Sequence, residues 1–331
     1  MSTFTKPRAV IAGTGHFVPE KVLTNADLSE MVDTTDDWIT QRTGIKERRI
    51  ASKDESCATL ASKAATKALQ AAKLEPKDLD LIICATLTPE MALPSTACFV
   101  AHSLGLDRTP AYDMNAACSG FVYGMEQATS FIESGKYKNV LVIGVETLSR
   151  LVDWTDRSTC ILFGDGAGAA VLSAREDTDR GIIYAESHAD GGGWHLLTCP
   201  VGSRNPISEK LIAAGGHYIH MKGREVFKFA VTKLDEIVDS TLAATGVKPE
   251  ELAMIVPHQM NRRIIDALTA RLGMGEDKAY VNIDRFGNTS AASIPIALDE
   301  AIQLGKIKQG DLIMLLGVGA GLTWCSTLLR V

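Results

Sequence analysis

The 331-residue sequence has no surplus of positive charge: 34 Lys and Arg stand against 40 Asp and Glu, a formal net charge of −6. That balance argues against a general nucleic-acid-binding surface, and any anionic substrate must be met by local cationic patches. Seven cysteines (Cys57, Cys84, Cys98, Cys118, Cys160, Cys199, Cys325) include no CxxC pair. An odd, dispersed set in a chain large enough to fold without staples points to a reducing, cytoplasmic setting. The opening MSTFTKPRAVIAGTG lacks the continuous apolar stretch of an export signal. His217 and His220 come closest to a metal pair, yet no carboxylate or thiol stands at ligand spacing, so no metal is expected. One segment, Leu312 to Leu329, reaches the length of a membrane span without a charge. Gly317, Gly319 and Gly321 interrupt it, and two buried strands joined by a turn are the better reading.

The length corresponds to about two structural units, and self-comparison finds them. AAKLEPKDLDLIICATLT (71–88) resembles AATGVKPEELAMIVPHQM (243–260) at an offset that sets Pro76 on Pro249. CSGFVYGMEQATSFIESGKYK (118–138) lies over NTSAASIPIALDEAIQLGKIK (288–308), with Gly135 on Gly305 and Cys118 on Asn288. Each is followed by an apolar strand and a glycine-rich closer, so both halves read strand, helix, strand, helix, strand. A duplicated α/β architecture with two parallel-rich sheets and shared helices is expected. The halves divide into 1–178 and 179–331, in the polar run REDTDRG. Segments 31–57 and 195–222 have no counterpart in the other half, and unpaired insertions on such a scaffold are where substrate loops sit.

The duplication places polar residues at equivalent strand and helix ends. Cys118 precedes apolar residues at 121, 125, 128 and 132, the spacing of one helix face, which sets its thiol at a helix N-terminus. There the unpaired N–H groups and the dipole favour thiolate. The other six cysteines read as small buried hydrophobes. His258 follows the apolar strand MIVP, at a strand's carboxyl end where ligands bind in α/β sheets. Asn288 lies in FGNTSAAS at a helix start; Asn is a common cap there, and its amide can also donate to an oxyanion. Symmetry brings Cys118, His258 and Asn288 to the meeting of the halves.

The motifs DMNAACSGF, FGDGAGAAVL, HQMNRRII, GNTSAAS and GAGLTW, in this order, resemble those of β-ketoacyl-[acyl-carrier-protein] synthase III, within the thiolase-like superfamily. The resemblance covers about residue 8 to 331. It implies the duplicated α-β-α-β-α layered fold, a homodimer, and an acyltransferase that works without a cofactor or metal, with acyl-CoA and malonyl-acyl carrier protein as substrates. It implies further that Cys118 accepts the acyl group, that His258 and Asn288 stabilise the enolate formed when malonyl loses CO₂, and that the N–H groups of Cys118 and Ala320 form an oxyanion hole. Trp38 and Arg42 of DTTDDWITQRTGI, with Arg157 opposite and Asn261 of HQMN, would hold CoA. Lys228 and the turn Gln259, Met260, Asn261, Arg262 and Arg263 would receive the acidic carrier protein. No membrane or nucleic-acid partner is implied.

Three departures from the family pattern stand out. Ala320 replaces the middle of three glycines, Met260 stands where Ala is frequent, and Leu93 occupies a position where some members carry a Phe closing the acyl pocket across the dimer. The nearest rival is a synthase III-like acyltransferase of a secondary-metabolite pathway. A non-catalytic carrier-binding partner is disfavoured by Cys118. A degradative thiolase is disfavoured because Leu316, not a second cysteine, precedes the final glycine-rich loop. The hydroxymethylglutaryl-CoA synthase pattern needs a Glu absent from the aligned motifs.

Overall fold

A computed structural model describes residues 7–176 and 178–331. The extreme amino terminus, on which the leader reading partly rests, and Asp177 of the boundary run lie outside them. The principal elements of the first half are β1 (Arg8–Phe17), α1 (Asp36–Thr43), α2 (Cys57–Ala72), β2 (Leu81–Ala85), β3 (Ala111–Met114), α3 (Gly120–Glu133), β4 (Asn139–Thr147) and β5 (Asp165–Arg175). The second half supplies β6 (Gly181–Ala189), α4 (Gly223–Thr245), β7 (Met254–Pro257), α5 (Arg262–Arg271), α6 (Ser293–Gln303), β8 (Leu312–Gly319) and β9 (Thr323–Arg330). The first sheet runs β1-β5-β4-β2-β3 and the second β7-β8-β9-β6.

The continuous apolar strands follow from having helices on both sides. In β2 and β4, Leu81, Ile83, Val140 and Val142 face inward onto α3, while Ile82, Cys84, Leu141 and Ile143 face outward onto α2. On the other side Val256, Ile313, Leu315 and Leu329 meet α6 in the same central cluster, and Ile255, Met314 and Leu328 pack outward against α4 and α5. The order is therefore helix, sheet, paired central helices, sheet, helix, the layered fold the resemblance implied. The 312–329 segment forms β8 and β9, two antiparallel strands. Among the described residues no helix is long and apolar enough to cross a membrane.

Two expectations need correction. The sheets are mixed and not parallel-rich: β2 pairs in parallel with β3 and β4, and β7 with β8, but β1/β5, β4/β5, β8/β9 and β9/β6 are antiparallel. Strands in the middle of a layered stack lose their polar face whatever their direction, so continuous apolarity did not report parallel pairing. The register of the repeat is also different. Ala117 and Ser290 both have positive φ (47° and 49°), and each opens a short 3-10 turn, at 117–119 and 290–292. This pairs Asn115 with Asn288, and Cys118 with Ala291. The match of Gly135 to Gly305 holds only at the far end, because α6 has 11 residues where α3 has 14.

Each of these turns sits on the other half's sheet. A Cβ built on Gly144 of β4 would lie 2.1 Å from the carbonyl oxygen of Ala291, and one on Gly319 of β8 would lie 2.8 Å from the Cys118 nitrogen. Backbone cannot withdraw as a flexible side chain can. Gly144→Ala is accordingly expected to lower the unfolding free energy by about 3 kcal/mol or more in urea titration. Gly135→Ala, in open space and strained only by φ 75°, is expected to cost about 1 kcal/mol. Equal losses would contradict the seating of the turn.

Candidate active site

Two cavities meet at Cys118. One, of about 530 Å³, is lined by His258, Asn288 and Gly319 within and by Arg42, Arg224 and Arg263 towards its mouth. The other, of about 580 Å³, is walled chiefly by apolar side chains, among them Leu87, Leu148, Leu151 and Ile219, with Ser290 and Ala320 beside the thiol. The unpaired segments supply much of both walls: Trp38, Arg42 and Met221 in the first, Cys199, Val201 and Ile219 in the second.

Cys118 occupies the 3-10 turn that runs directly into α3. Thr323 ties this turn to the β8–β9 loop: its Oγ1 lies 3.1 Å from Ala116 O, 3.0 Å from Ser119 Oγ and 3.2 Å from Ala320 O. The thiol is 7% exposed. Burial pushes its pKa up to about 12 and the Glu146 charge adds to this, while the Ser290 hydroxyl and its own N–H pull the other way. The helix start is as expected; the resting thiolate is not, because desolvation of the charged form outweighs the dipole. The thiol must lose its proton during reaction, and the helix N-terminus acts on the charge as it forms.

His258 is buried, with its N–H donating to Leu316 O at 2.8 Å. Its Nδ1 lies 2.6 Å from Ser293 Oγ, which also accepts the Gln259 N–H at 3.3 Å. In the tautomer in which Ser293 Oγ–H donates to Nδ1, Nε2 carries the ring proton. Burial lowers the imidazole pKa to about 3, so the ring is neutral at physiological pH. Asn288 Oδ1 accepts the Ser290 N–H at 2.8 Å, and its backbone bridges Leu162 O and Gly164 N. The oxygen closes an Asx-type turn and caps neither the 290–292 turn nor α6, whose cap positions are Thr289 and Ala292, while Nδ2 finds no acceptor among the described residues and is left for the cavity. Cys118, from the first half, and His258 and Asn288, from the second, line one space. It offers a nucleophile and two neutral N–H donors.

At the mouth, the guanidinium carbons of Arg42 and Arg157 lie 4.5 and 5.3 Å from the centre of the Trp38 ring. Arg157 also donates to Asp33 O at 2.7 Å. Arg263 packs 5.7 Å from the Phe227 ring, and Lys228 is exposed on α4. Asn261 caps α5 through Oδ1 and donates through Nδ2 to Arg42 O at 3.0 Å, joining α5 to α1. Met260 is half-buried and lines the first cavity.

Gln259, Arg262 and Leu93 line neither cavity. Gln259 is 1% exposed, its amide donating to Pro257 O and Tyr280 O and accepting from Asn282 N, so its side chain cannot meet a protein partner. Arg262 is neutralised by Asp266 at 2.5 Å and Glu276 at 3.5 Å. Leu93 is 84% exposed and lines neither cavity of its own chain, as a residue that acts across a dimer would be, while Met91 and Ala92 of the same loop line the apolar cavity. The spare cysteines are also less uniform than expected, for Cys98 is exposed and Cys199 lines the apolar cavity. Sequence reading missed Arg224, a mouth cation in the first turn of α4 whose only signal was its place between the HMK and VFKF runs. It also missed Ser293, whose signal was a polar residue at the start of an otherwise apolar helix.

The family model described as 3-oxoacyl-[acyl-carrier-protein] synthase III matches residues 112–191, and that of its C-terminal part matches 242–331. A beta-ketoacyl-[acyl-carrier-protein] synthase III of Caldanaerobacter subterraneus subsp. tengcongensis is 52% identical over 326 residues, 98% of each chain. The crystal structure of 3-oxoacyl-[acyl-carrier-protein] synthase III from Aquifex aeolicus superposes with a TM-score of 0.91 at 52% identity, covering 98% of this chain and all of the other. The priming β-ketosynthase of the R1128 polyketide pathway also superposes at 0.91, but at 33% identity, covering 100% and 98%. With a duplicated layered fold, a thiol at its centre and this degree of identity along its whole length, the chain belongs to the 3-oxoacyl-[acyl-carrier-protein] synthase III family.

Proposed function

We propose that this protein is the condensing acyltransferase that begins fatty acid synthesis, joining an acyl group from acyl-CoA to malonyl-acyl carrier protein. The observation that carries the reading is the convergence of Cys118, His258 and Asn288 on one cavity that continues into an apolar one. In the first half-reaction the Cys118 sulfur attacks the acyl-CoA thioester carbonyl. The N–H groups of Cys118 and Ala320 hold the oxyanion, CoA leaves as its thiol with the proton lost by Cys118, and the acyl chain lies in the apolar cavity.

In the second, malonyl-acyl carrier protein enters the other cavity. His258 Nε2–H and Asn288 Nδ2–H donate to its thioester carbonyl as the carboxylate departs as CO₂, and the electron pair left behind forms the enolate. Its carbon attacks the Cys118 thioester and expels the thiolate, giving 3-oxoacyl-acyl carrier protein; the thiolate then takes up a proton. Neutral donors suit this step because an imidazolium would offer its proton to the carbanion. No metal or organic cofactor has a part in it.

Trp38, Arg42, Arg157 and Asn261 are assigned to CoA, and Lys228, Met260 and Arg263 to the carrier protein, with Arg224 now added at the mouth. Arg157 is paired with Asp33 at 3.3 Å, but Arg42, Arg224, Lys228 and Arg263 have no ion-pair partner among the described residues, and such cations reconcile the net charge of −6 with two anionic substrates. The exposed Leu93 and Met91 fit the face of a homodimer, and the free cysteines fit a cytoplasmic enzyme. The halves are assigned as 1–178 and 179–331, between the end of β5 at Arg175 and the start of β6 at Gly181. Identity of 52% to fatty-acid-type relatives against 33% to the polyketide priming enzyme favours fatty acid synthesis over a specialised pathway.

His258→Ala and Asn288→Ala are each expected to accept an acyl group on Cys118 within about 3-fold of the parent rate. Release of CO₂ from malonyl-acyl carrier protein should fall on the order of 10²-fold or more. Loss of acylation with decarboxylation intact would reverse the roles. The pH dependence gives a second check. Because the His258 pKa lies at about 3, below that of a free imidazole, the neutral ring persists as pH falls. Decarboxylation by the acylated enzyme should show no loss centred near about pH 6.5; a midpoint there would show that a titrating imidazole is used.

A further inference from the structure

Glu146, the penultimate residue of β4, is completely buried, and no step above uses it. Its carboxylate accepts from Thr88 Oγ1 at 2.6 Å, Thr88 N at 3.1 Å, Leu87 N at 3.2 Å, Thr86 Oγ1 at 3.3 Å and Ser290 Oγ at 3.1 Å. Four of these donors belong to the segment following β2, in its own half. The fifth, Ser290, is the only one from the other half, and it holds the positive φ of the Asn288 turn. Its N–H is the group that engages Asn288 Oδ1. An unbroken chain of contacts therefore runs from a buried charge of the first half to the amide that faces the cavity.

The repeat supplies a control within the molecule. The matching turn in the first half has the same positive φ at Ala117, and Asn115 Oδ1 accepts the Ala117 N–H at 3.1 Å. The strand pairings that equate Val140 with Ile313 place Gly319 opposite Glu146 in the duplicated pattern. Gly319 has no side chain and lies directly under Cys118. Only the Asn288 side has a carboxylate reaching across. A non-glycine residue at positive φ persists where its surroundings over-determine it; the Ala117 turn keeps it without a carboxylate, and at Ser290 Glu146 adds a tether on the hydroxyl. The hydroxyl is held on one side and the amide oxygen on the other, so a shift of Ser290 would rotate Asn288.

We propose that Glu146 is a positioning residue: through Ser290 it fixes the Asn288 amide with Nδ2 directed at the substrate carbonyl oxygen. The inference rests on the role given to Asn288 in decarboxylation. It also gives a reason for a buried acid beside a thiol, where its charge opposes thiolate formation. Burial raises the Glu146 pKa to about 7, so the carboxylate is the main form at pH 8, and the acid is retained for the geometry of the other half-reaction.

The test uses the full-length enzyme at pH 8, with Glu146→Gln, Ser290→Ala, Asn288→Ala and the Glu146→Gln/Asn288→Ala double variant. Acylation of Cys118 and CO₂ release from malonyl-acyl carrier protein are measured separately. Glu146→Gln is expected to lower kcat for decarboxylation by about 10- to 100-fold, with KM within about 3-fold and acylation of Cys118 undiminished. On the Asn288→Ala background the same change should cost no more than about 2-fold. An unimpaired Glu146→Gln beside a crippled Asn288→Ala overturns the proposal alone, as does a loss that multiplies fully in the double variant. An unimpaired Asn288→Ala removes the reading of Asn288 and this proposal with it. If Glu146→Gln does not fold, Ser290→Ala decides, since it deletes the hydroxyl and keeps the N–H. A fall of about 10-fold in decarboxylation by enzyme already acylated on Cys118, whatever the rate of acylation, supports the link, and unchanged decarboxylation by that acyl-enzyme rejects it.

Discussion

The two turns that carry Cys118 and Asn288 rest on strands of the opposite half, at separations that leave no room for a Cβ on Gly144 or Gly319. Neither half can hold its own turn in place. The first carries Cys118, the proposed nucleophile, and the seat for the Asn288 turn; the second carries the proposed donors His258 and Asn288 and the seat for the Cys118 turn. The central pair α3 and α6 brings this about by burying one face against each sheet, in a cluster that draws on both halves. Packing at interior density transmits position, so the geometry of the site is set by the core and not by its own loops.

Burial also sets the chemistry. The same desolvation that holds His258 as a neutral donor keeps the Cys118 thiol protonated at rest. One environment thus suits the enolate step directly and defers ionisation of the nucleophile until substrate arrives. Cationic charge is kept to the mouth, where Arg42 and Arg157 flank Trp38 and Arg224 and Arg263 line the approach. Cations there are solvated and cost little, and they meet anionic carriers without placing charge beside the reacting carbon.

Much of this was legible in the sequence. The alternation of apolar segments and turn residues gave the duplicated strands and helices, and the glycines in Leu312–Leu329 identified a hairpin. Cys118, His258 and Asn288 each stand at an element end, where side chains are free to face a ligand. What was not legible depended on long-range packing. The three-residue slip in the repeat arose because Gly135 and Gly305 align at helix ends whose helices differ in length. The thiol's ionisation depends on burial by residues distant in the chain. Gln259 sits in a polar turn yet faces inward, towards Tyr280 and Asn282. Glu146 closes an apolar strand, where an acid ordinarily marks the return to solvent; here the other half covers it.

The central claim is that one thiol, at the meeting of the two halves, carries the acyl group between two substrates. Intact-protein and peptide mass spectrometry after brief incubation with acyl-CoA alone tests it most directly. The account expects a single acyl adduct on the peptide containing Cys118, discharged when malonyl-acyl carrier protein is added. An adduct on Cys57, Cys199 or any other cysteine, or an acyl-Cys118 that malonyl-acyl carrier protein leaves untouched, would contradict it.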